Sequence, residues 1–552
     1  MSDFHPSRRA FVAGATAAAL GAATLGAPAL LLASRRRADL VLRGGTVFDG
    51  TGAPGVEADV AVAGGRVVEV GPRLAGAGAR ELDARGLAVA PGFVDLHSHA
   101  DGTLFADPAA ESVVRQGVTT VVVGQDGSSP AAGRDEFAAF LARVDRARPA
   151  VNVAAMVGLG TVRGRVVGLA DRRATAAELA RMARLVDGAL AAGACGASSG
   201  LEYTPGAFAS RDELAALCGP LARRGLPYAT HLRNEDDQLV EAVAEAVAVA
   251  EAAGCPLHLS HLKTQGPRNW GKLDAVFARV DAAAARGLDV TFDRYPYVAY
   301  ATTLANLFPA WARDGGAAAF LARLTRGDAA PRLRAAALAK VALIGGWDNV
   351  LVTDVAAPAD RAAEGTRLGA YARARGADPY DAAVGLLRRS GGAVGMVGFA
   401  MREENLERVL AHPRGMVASD GGAAALAGPA RRGHPHPRSL GTFPRVLARY
   451  VRDRPVLSLA QAVHKMTLAP ARRAGLAGLA GRGRIAPGAA ADLVAFDPAA
   501  VADRATFADP FRYPDGVAAV VVNGRVALAG GAREDRGAGA GRALRPAPPA
   551  AG

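Results

Sequence analysis

The stretch Pro91-Gly92-Phe93-Val94-Asp95-Leu96-His97-Ser98-His99-Ala100-Asp101 carries the plainest chemical signal in the chain. Gly86 to Val94 is an apolar run broken by a Pro-Gly turn, and Phe93 to Leu96 reads as a short buried strand. Two histidines follow at spacing i, i+2. Side chains two apart on a strand point the same way, so His97 and His99 converge just past the strand's end. Two adjacent imidazoles repel when protonated and gain by sharing a cation, so the pair predicts a metal site.

Such a site needs a frame. Apolar strands are predicted at Phe93–His97, Thr119–Gly124, Val151–Gly158, Cys195–Gly200, Pro227–Arg233, Pro256–Lys263, Val290–Pro296 and Gly415–Gly421. Alanine-rich helical stretches lie between most of them, such as Ala176–Ala192, Leu239–Ala253 and Leu273–Arg286. Repeated strand–helix units point to a (β/α)8 barrel over residues 92–470, and barrel chemistry sits at the C-terminal ends of strands. Those ends hold Asp126 (strand two), His231 (strand five), His261 (strand six) and Asp420 (strand eight). The chain has only 10 histidines, so their gathering at strand ends strengthens the metal reading. Residues 298–414 are too many for one helix and predict an insertion folding over the barrel mouth. Alternating segments at 38–91 and 471–535 predict one discontinuous β domain closed by both ends of the chain. Residues 536–552 are expected to form a disordered tail.

Composition narrows the partners. Of 65 basic residues only four are lysines (263, 272, 340 and 465), and the arginines are scattered and not clustered with aromatics. The net charge of +13 therefore does not predict a nucleic-acid surface. Ser7-Arg8-Arg9-Ala10-Phe11-Val12 has the twin-arginine form, followed by an uncharged run from Phe11 to Ala33 and small residues at Ala27-Pro28-Ala29. Residues 1–37 are thus expected to be a cleaved twin-arginine signal, giving an exported periplasmic or extracellular protein with no stable membrane insertion. Cys195, Cys218 and Cys255 show no ligand or disulfide spacing.

Across roughly residues 39–530 the chain resembles the amidohydrolase superfamily, and within it the N-acyl-D-amino-acid deacylase (D-aminoacylase) family. The resemblance rests on Pro91–Asp101, Ser199–Gly206, Thr230–Glu235, Ser260–Lys263, Asn269–Lys272, Asp293–Tyr297, Ser419–Gly421, His436–Arg438, Gly441–Arg445, Ala490–Val494 and Tyr513–Gly516, in that order. It implies a barrel with one or two Zn²⁺ ions and a small-molecule N-acylated amino acid as substrate. It also implies that His97, His99 and His261 hold one zinc position and that His231 belongs to a second. The family places a cysteine there, in a Gly-Asn-Cys-Gly turn, whereas this chain has Gly124-Gln125-Asp126-Gly127. Asp126 is either a harder carboxylate ligand or a turn residue beside a weak second site.

Asp420 is the candidate general base, with a helix N-cap as its structural alternative. Glu202 is a further carboxylate at a strand end. Lys263, two residues after His261, is expected to face the same cavity and hold a substrate carboxylate. Tyr203 and Tyr295 resemble family contacts to that group, and Arg233 and Arg438 are further cations for it. His258, three before His261, is expected on the opposite face. Hydrolysis of a cyclic amide or of a D-residue-containing peptide is the enzymatic alternative. A silent barrel that has lost part of its metal centre is the non-enzymatic one.

Overall fold

The computed structural model describes residues 38–478, 481–534 and 538–546, so the expected signal segment 1–37 lies outside the described residues. The parallel strands are β1 (Phe93–Asp95), β2 (Val118–Val123), β3 (Asn152–Ala155, resumed at Val157–Gly158) and β4 (Ala197–Gly200). They continue with β5 (Tyr228–His231), β6 (Leu257–Leu259), β7 (Val290–Arg294) and β8 (Gly415–Val417). These strands are buried on both faces, which is why they carry apolar or small residues and no polar–apolar alternation. Each pairs with the next in parallel, and the bridge from Ser98 to Gly421 joins β1 to β8 and closes the barrel.

The helix Ala176–Ala192 shows how the intervening alanine-rich segments are held. Thr175 caps it, Glu178 reaches back in a capping box, and Gly193 ends it at φ 115°. Met182, Val186, Ala189 and Leu190 form its buried stripe.

A nine-stranded sheet combines strands between Leu40 and Pro91 with strands between Leu493 and Arg533. Its two halves meet where Ala88–Pro91 pairs with Leu493–Phe496. It keeps a separate core that includes Leu42, Val60, Val89, Leu493 and Val521. Phe93 joins this domain to the barrel, stacked on Phe443 at 5.5 Å and tilted against Phe496.

The insertion is a three-stranded antiparallel sheet, Ala299–Thr303, Val394–Phe399 and Val350–Val355, backed by helices with their own core. It ends earlier than residue 414. The helix Glu403–Ala411 buries Leu406, Val409 and Leu410 in the barrel core and serves as the barrel helix before β8. The expected tail is also corrected. Residues 538–546 run along the base of the barrel, where Val153 N donates to Arg542 O at 3.0 Å and Leu544 N donates to Val153 O at 2.8 Å. Ala543 and Leu544 are buried there, apolar residues that a Gly/Pro-rich composition conceals.

Candidate metal centre and active site

The strand ends bring His97, His99, Asp126, His231, His261 and Asp420 to one place at the mouth of the barrel. Asp126 stands in the middle. Its Oδ1 is 3.4 Å from His97 Nε2, and its Oδ2 is 3.5 Å from His99 Nε2, 3.5 Å from His261 Nε2 and 3.8 Å from His231 Nδ1. Asp420 Oδ1 lies 3.1 Å from His99 Nε2 and 3.5 Å from His97 Nε2. His231 Nδ1 and His261 Nε2 are 3.0 Å apart. His261 thus stands between two potential ligand groups: one with His97, Asp126 and Asp420, the other with His231 and Glu235.

Local backbone conformation sets these positions. Asp126, His261 and Asp420 have φ of 51°, 38° and 49°, a region uncommon for side-chain-bearing residues and held only where the surroundings impose it. Around Asp126, Ser198 Oγ donates to Gly124 O at 2.6 Å and accepts from Gly127 N at 3.0 Å. A Cβ on Gly124 would meet Met156 O at 2.2 Å, so the turn packs directly against β3. Asp420 is fixed from behind by Asp95, which accepts from Ser419 N at 2.9 Å and from its hydroxyl.

The group fits a cation. His97 Nε2, Asp126 Oδ1 and His231 Nε2 are buried without hydrogen-bond partners and belong to the cluster. Buried polar atoms are normally satisfied; a metal in the first group would satisfy His97 Nε2 and Asp126 Oδ1, and His231 Nε2 lies 3.5 Å from Glu202 Oε2 beside the second. The field agrees. Burial lowers the proton affinity of His99, but Asp126 and Asp420 outweigh it and lift the ring to about 9. Burial likewise opposes charge on His231, yet Glu235, Asp126 and Glu202 raise it to about 10. Such a net negative, desolvated pocket favours positive charge, whether proton or metal.

Three residues important to this geometry escape sequence reasoning. Asp293, at the end of β7, accepts from the backbone His261 N at 2.8 Å and lies 3.3 Å from His97 Nδ1, pinning the turn that carries His261 and orienting the His97 ring from behind. His258 is not on the far side. Its Nε2 is 2.9 Å from the same Asp293 oxygen. Strand β6 ends at Leu259 and the chain turns at His261, so strand parity fails between them. Glu235 is buried, 3.1 Å from His261 Nδ1. An acid closing an apolar strand was the available signal for Asp293. Glu235 sits in a loop and had none.

A cavity of about 390 Å³ opens over the cluster, lined by His99, Asp126, Tyr203, Lys263, Tyr295 and Arg438 among others. Insertion residues Tyr300, Ala301, Thr302 and Thr303 form part of its wall. Lys263 lines the cavity, but its ammonium is committed to Glu235 Oε1, His261 Nδ1 at 2.7 Å and His261 O at 3.0 Å. It faces the cavity already paired with a carboxylate, as Arg438 does. Arg438 Nη1 lies 2.7 Å from Asp420 Oδ2, an ion pair without hydrogen-bond alignment. Tyr295 OH is buried with no partner, and Tyr203 OH is 3.4 Å from Thr302 Oγ1. Glu202 Oε2 is 3.5 Å from His231 Nε2, so this acid does reach the centre. Arg233 is turned away into an ion pair with Glu245 at 2.8 Å. His434 and His436 bond to the carbonyls of Phe507 at 2.8 Å and Ala299 at 3.0 Å and hold their loop to its neighbours. All three cysteines are buried and free.

A closed barrel with buried histidines and carboxylates at its mouth defines a metal-binding barrel enzyme. A profile of the amidohydrolase family matches residues 80–397 and 429–528. An N-acyl-D-glutamate deacylase from Alcaligenes xylosoxydans xylosoxydans is 37% identical over 508 residues, 89% of this chain and 93% of the relative. A D-aminoacylase from the same organism is 37% identical over 505 residues, 88% and 93% of the two chains. The crystal structure of an N-acyl-D-glutamate deacylase from Bordetella bronchiseptica, complexed with zinc and a phosphonate mimic of the tetrahedral intermediate, superposes with a TM-score of 0.78 at 34% identity. That match covers 92% of this chain and 100% of the other. The chain belongs to the amidohydrolase family, in its N-acyl-D-amino-acid deacylase branch, and is a hydrolase of carbon–nitrogen bonds other than peptide bonds.

Proposed function

We propose that this protein is a zinc-dependent deacylase that hydrolyses N-acyl-D-amino acids to a carboxylate and the free D-amino acid. The observation that carries the proposal is the position of Asp420 between the cluster and Arg438, on the wall of a cavity sized for such a substrate. His97, His99, Asp126, His231 and His261 would hold zinc. When bound there, zinc supplies Lewis acidity for the amide carbonyl and acidifies water. Asp420 takes the proton of the attacking water and passes it to the leaving nitrogen. Burial opposes charge on Asp420, but Arg438 and the neighbouring imidazoles hold its carboxyl well below the usual range, so it enters the reaction ionised. The Tyr295 hydroxyl and the Arg438 guanidinium, both facing the cavity, are the donors for the substrate carboxylate.

A hydrolysis screen of N-acetyl-D- and N-acetyl-L-amino acids with the zinc-loaded protein tests this reading. Hydrolysis confined to D substrates is expected. Turnover of only L substrates or only cyclic amides would overturn it.

Asp126 provides a separate test. Its two oxygens face histidines of both groups, so as a ligand it serves both. Asp126→Ala then lowers metal stoichiometry or affinity. Asp126→Cys tightens zinc relative to Mn²⁺, because thiolate favours zinc more than carboxylate does. Competitive zinc and Mn²⁺ titrations of the three proteins decide the matter. Equal affinities throughout would reduce Asp126 to a turn residue.

A further inference from the structure

A second cavity, of about 340 Å³, lies at the opposite end of the barrel. Gly225, Pro256, Asp289 and Gly415 line it at or just before the starts of β5, β6, β7 and β8, so it is remote from the metal cluster. Its charge is one-sided. Arg414, Lys465, Arg472 and Arg473 line it against a single carboxylate, Asp289.

Two of these cations are buried. Lys465, one of only four lysines in the chain, is 6% exposed. Its Nζ donates to Gly415 O at 2.8 Å and to His412 O, and it has no carboxylate partner among the described residues. Two carbonyls leave one of its three N–H donors over. Arg473 is 8% exposed. Its Nη2 donates to Asp289 Oδ1 at 2.5 Å, while its Nε is buried with no partner. Arg472 is exposed at the rim, and Arg414 Nε reaches only Asp281 Oδ1, at 3.5 Å.

A buried cation without a counter-charge is costly, and an unmade donor beside it adds to the cost. Burial already pulls the Lys465 ammonium down to about 8, a penalty that an incoming anion relieves. Guanidinium groups match tetrahedral oxyanions in fork geometry, and an ammonium supplies a point charge. We infer that this lower pocket is a binding site for a phosphate group, either inorganic phosphate or the phosphate of a small monoester. It stands on different residues from the hydrolytic site and does not depend on the deacylase assignment. An anion seated there would tie the segment carrying Lys465 and Arg473 to the starting ends of β6, β7 and β8.

The test is calorimetric titration of the zinc-loaded full-length protein with inorganic phosphate and with adenosine monophosphate, at constant ionic strength, against a chloride blank. Saturable binding near one equivalent is expected, with a rise in melting temperature. Tighter binding of the monophosphate would identify an ester as the better-matched ligand, and equal binding would identify the phosphate group alone. Arg472→Glu, at an exposed position, is expected to weaken binding at least about tenfold, as loss of one charge-assisted contact implies, while leaving hydrolysis unchanged. Lys465→Met is the second variant, with the same loss of binding expected. No saturable binding of either ligand would overturn the inference. So would binding that survives Arg472→Glu and inhibits hydrolysis, because the phosphate would then sit at the metal centre.

Discussion

His97→Ala and His261→Ala are each expected to lose at least about one equivalent of zinc and nearly all hydrolysis, because each removes a ligand that no nearby side chain replaces. The fold should survive both changes. In His97→Ala, Asp293 keeps His258 and the amide of His261 as partners, so that buried carboxylate stays satisfied. In His261→Ala, the backbone amide that holds the turn to Asp293 is untouched. Metal analysis of the purified variants, with circular dichroism as a fold control, checks the expectation. Full zinc content and full rate in both would remove these histidines from the centre.

Asp420→Asn is expected to slow hydrolysis at least about 10²-fold, the usual contribution of a general acid–base group, while zinc content stays near that of the parent. The amide matches the carboxylate in shape, so the turn fixed by Asp95 and Ser419 persists. What disappears is the proton acceptor between His99 and Arg438. If the rate falls only in proportion to lost zinc, Asp420 is a ligand and not the base.

The frame of this site was legible because parallel barrel strands are buried on both faces. Most of the strands are largely apolar runs followed by polar residues, and that end is where the chemistry lies. That rule located His97, Asp126, His231, His261 and Asp420 from residue type and position alone. It failed after β6. Spacing along an extended chain separates His258 from His261 and aligns Lys263 with it, but the chain leaves the strand at Leu259. As a result, His258 supports the cluster through Asp293 and Lys263 is engaged by Glu235. Partners of this kind depend on which loop meets which strand across the barrel, and no local pattern records that. The segment at 538–546 was misread for the opposite reason. Its composition is that of a linker, and its structure comes from long-range contacts with Arg148, Pro149, Val153 and Asp145.

The shared sheet of the β domain also governs when the protein can finish folding. Ala88–Pro91 emerges early in synthesis, yet its partner Leu493–Phe496 emerges about four hundred residues later. Ser98 must likewise wait for Gly421 before the barrel closes. During elongation the strands Leu40–Val47 and Ala88–Pro91 can find each other and their nearest neighbours, but one edge of that apolar sheet stays open. Long-range pairings of this kind are slow, and unpaired strand edges attract other chains. The strands before the barrel therefore depend on a segment not yet made, and the arrival of Leu493–Phe496 decides whether their open edge is safe from aggregation.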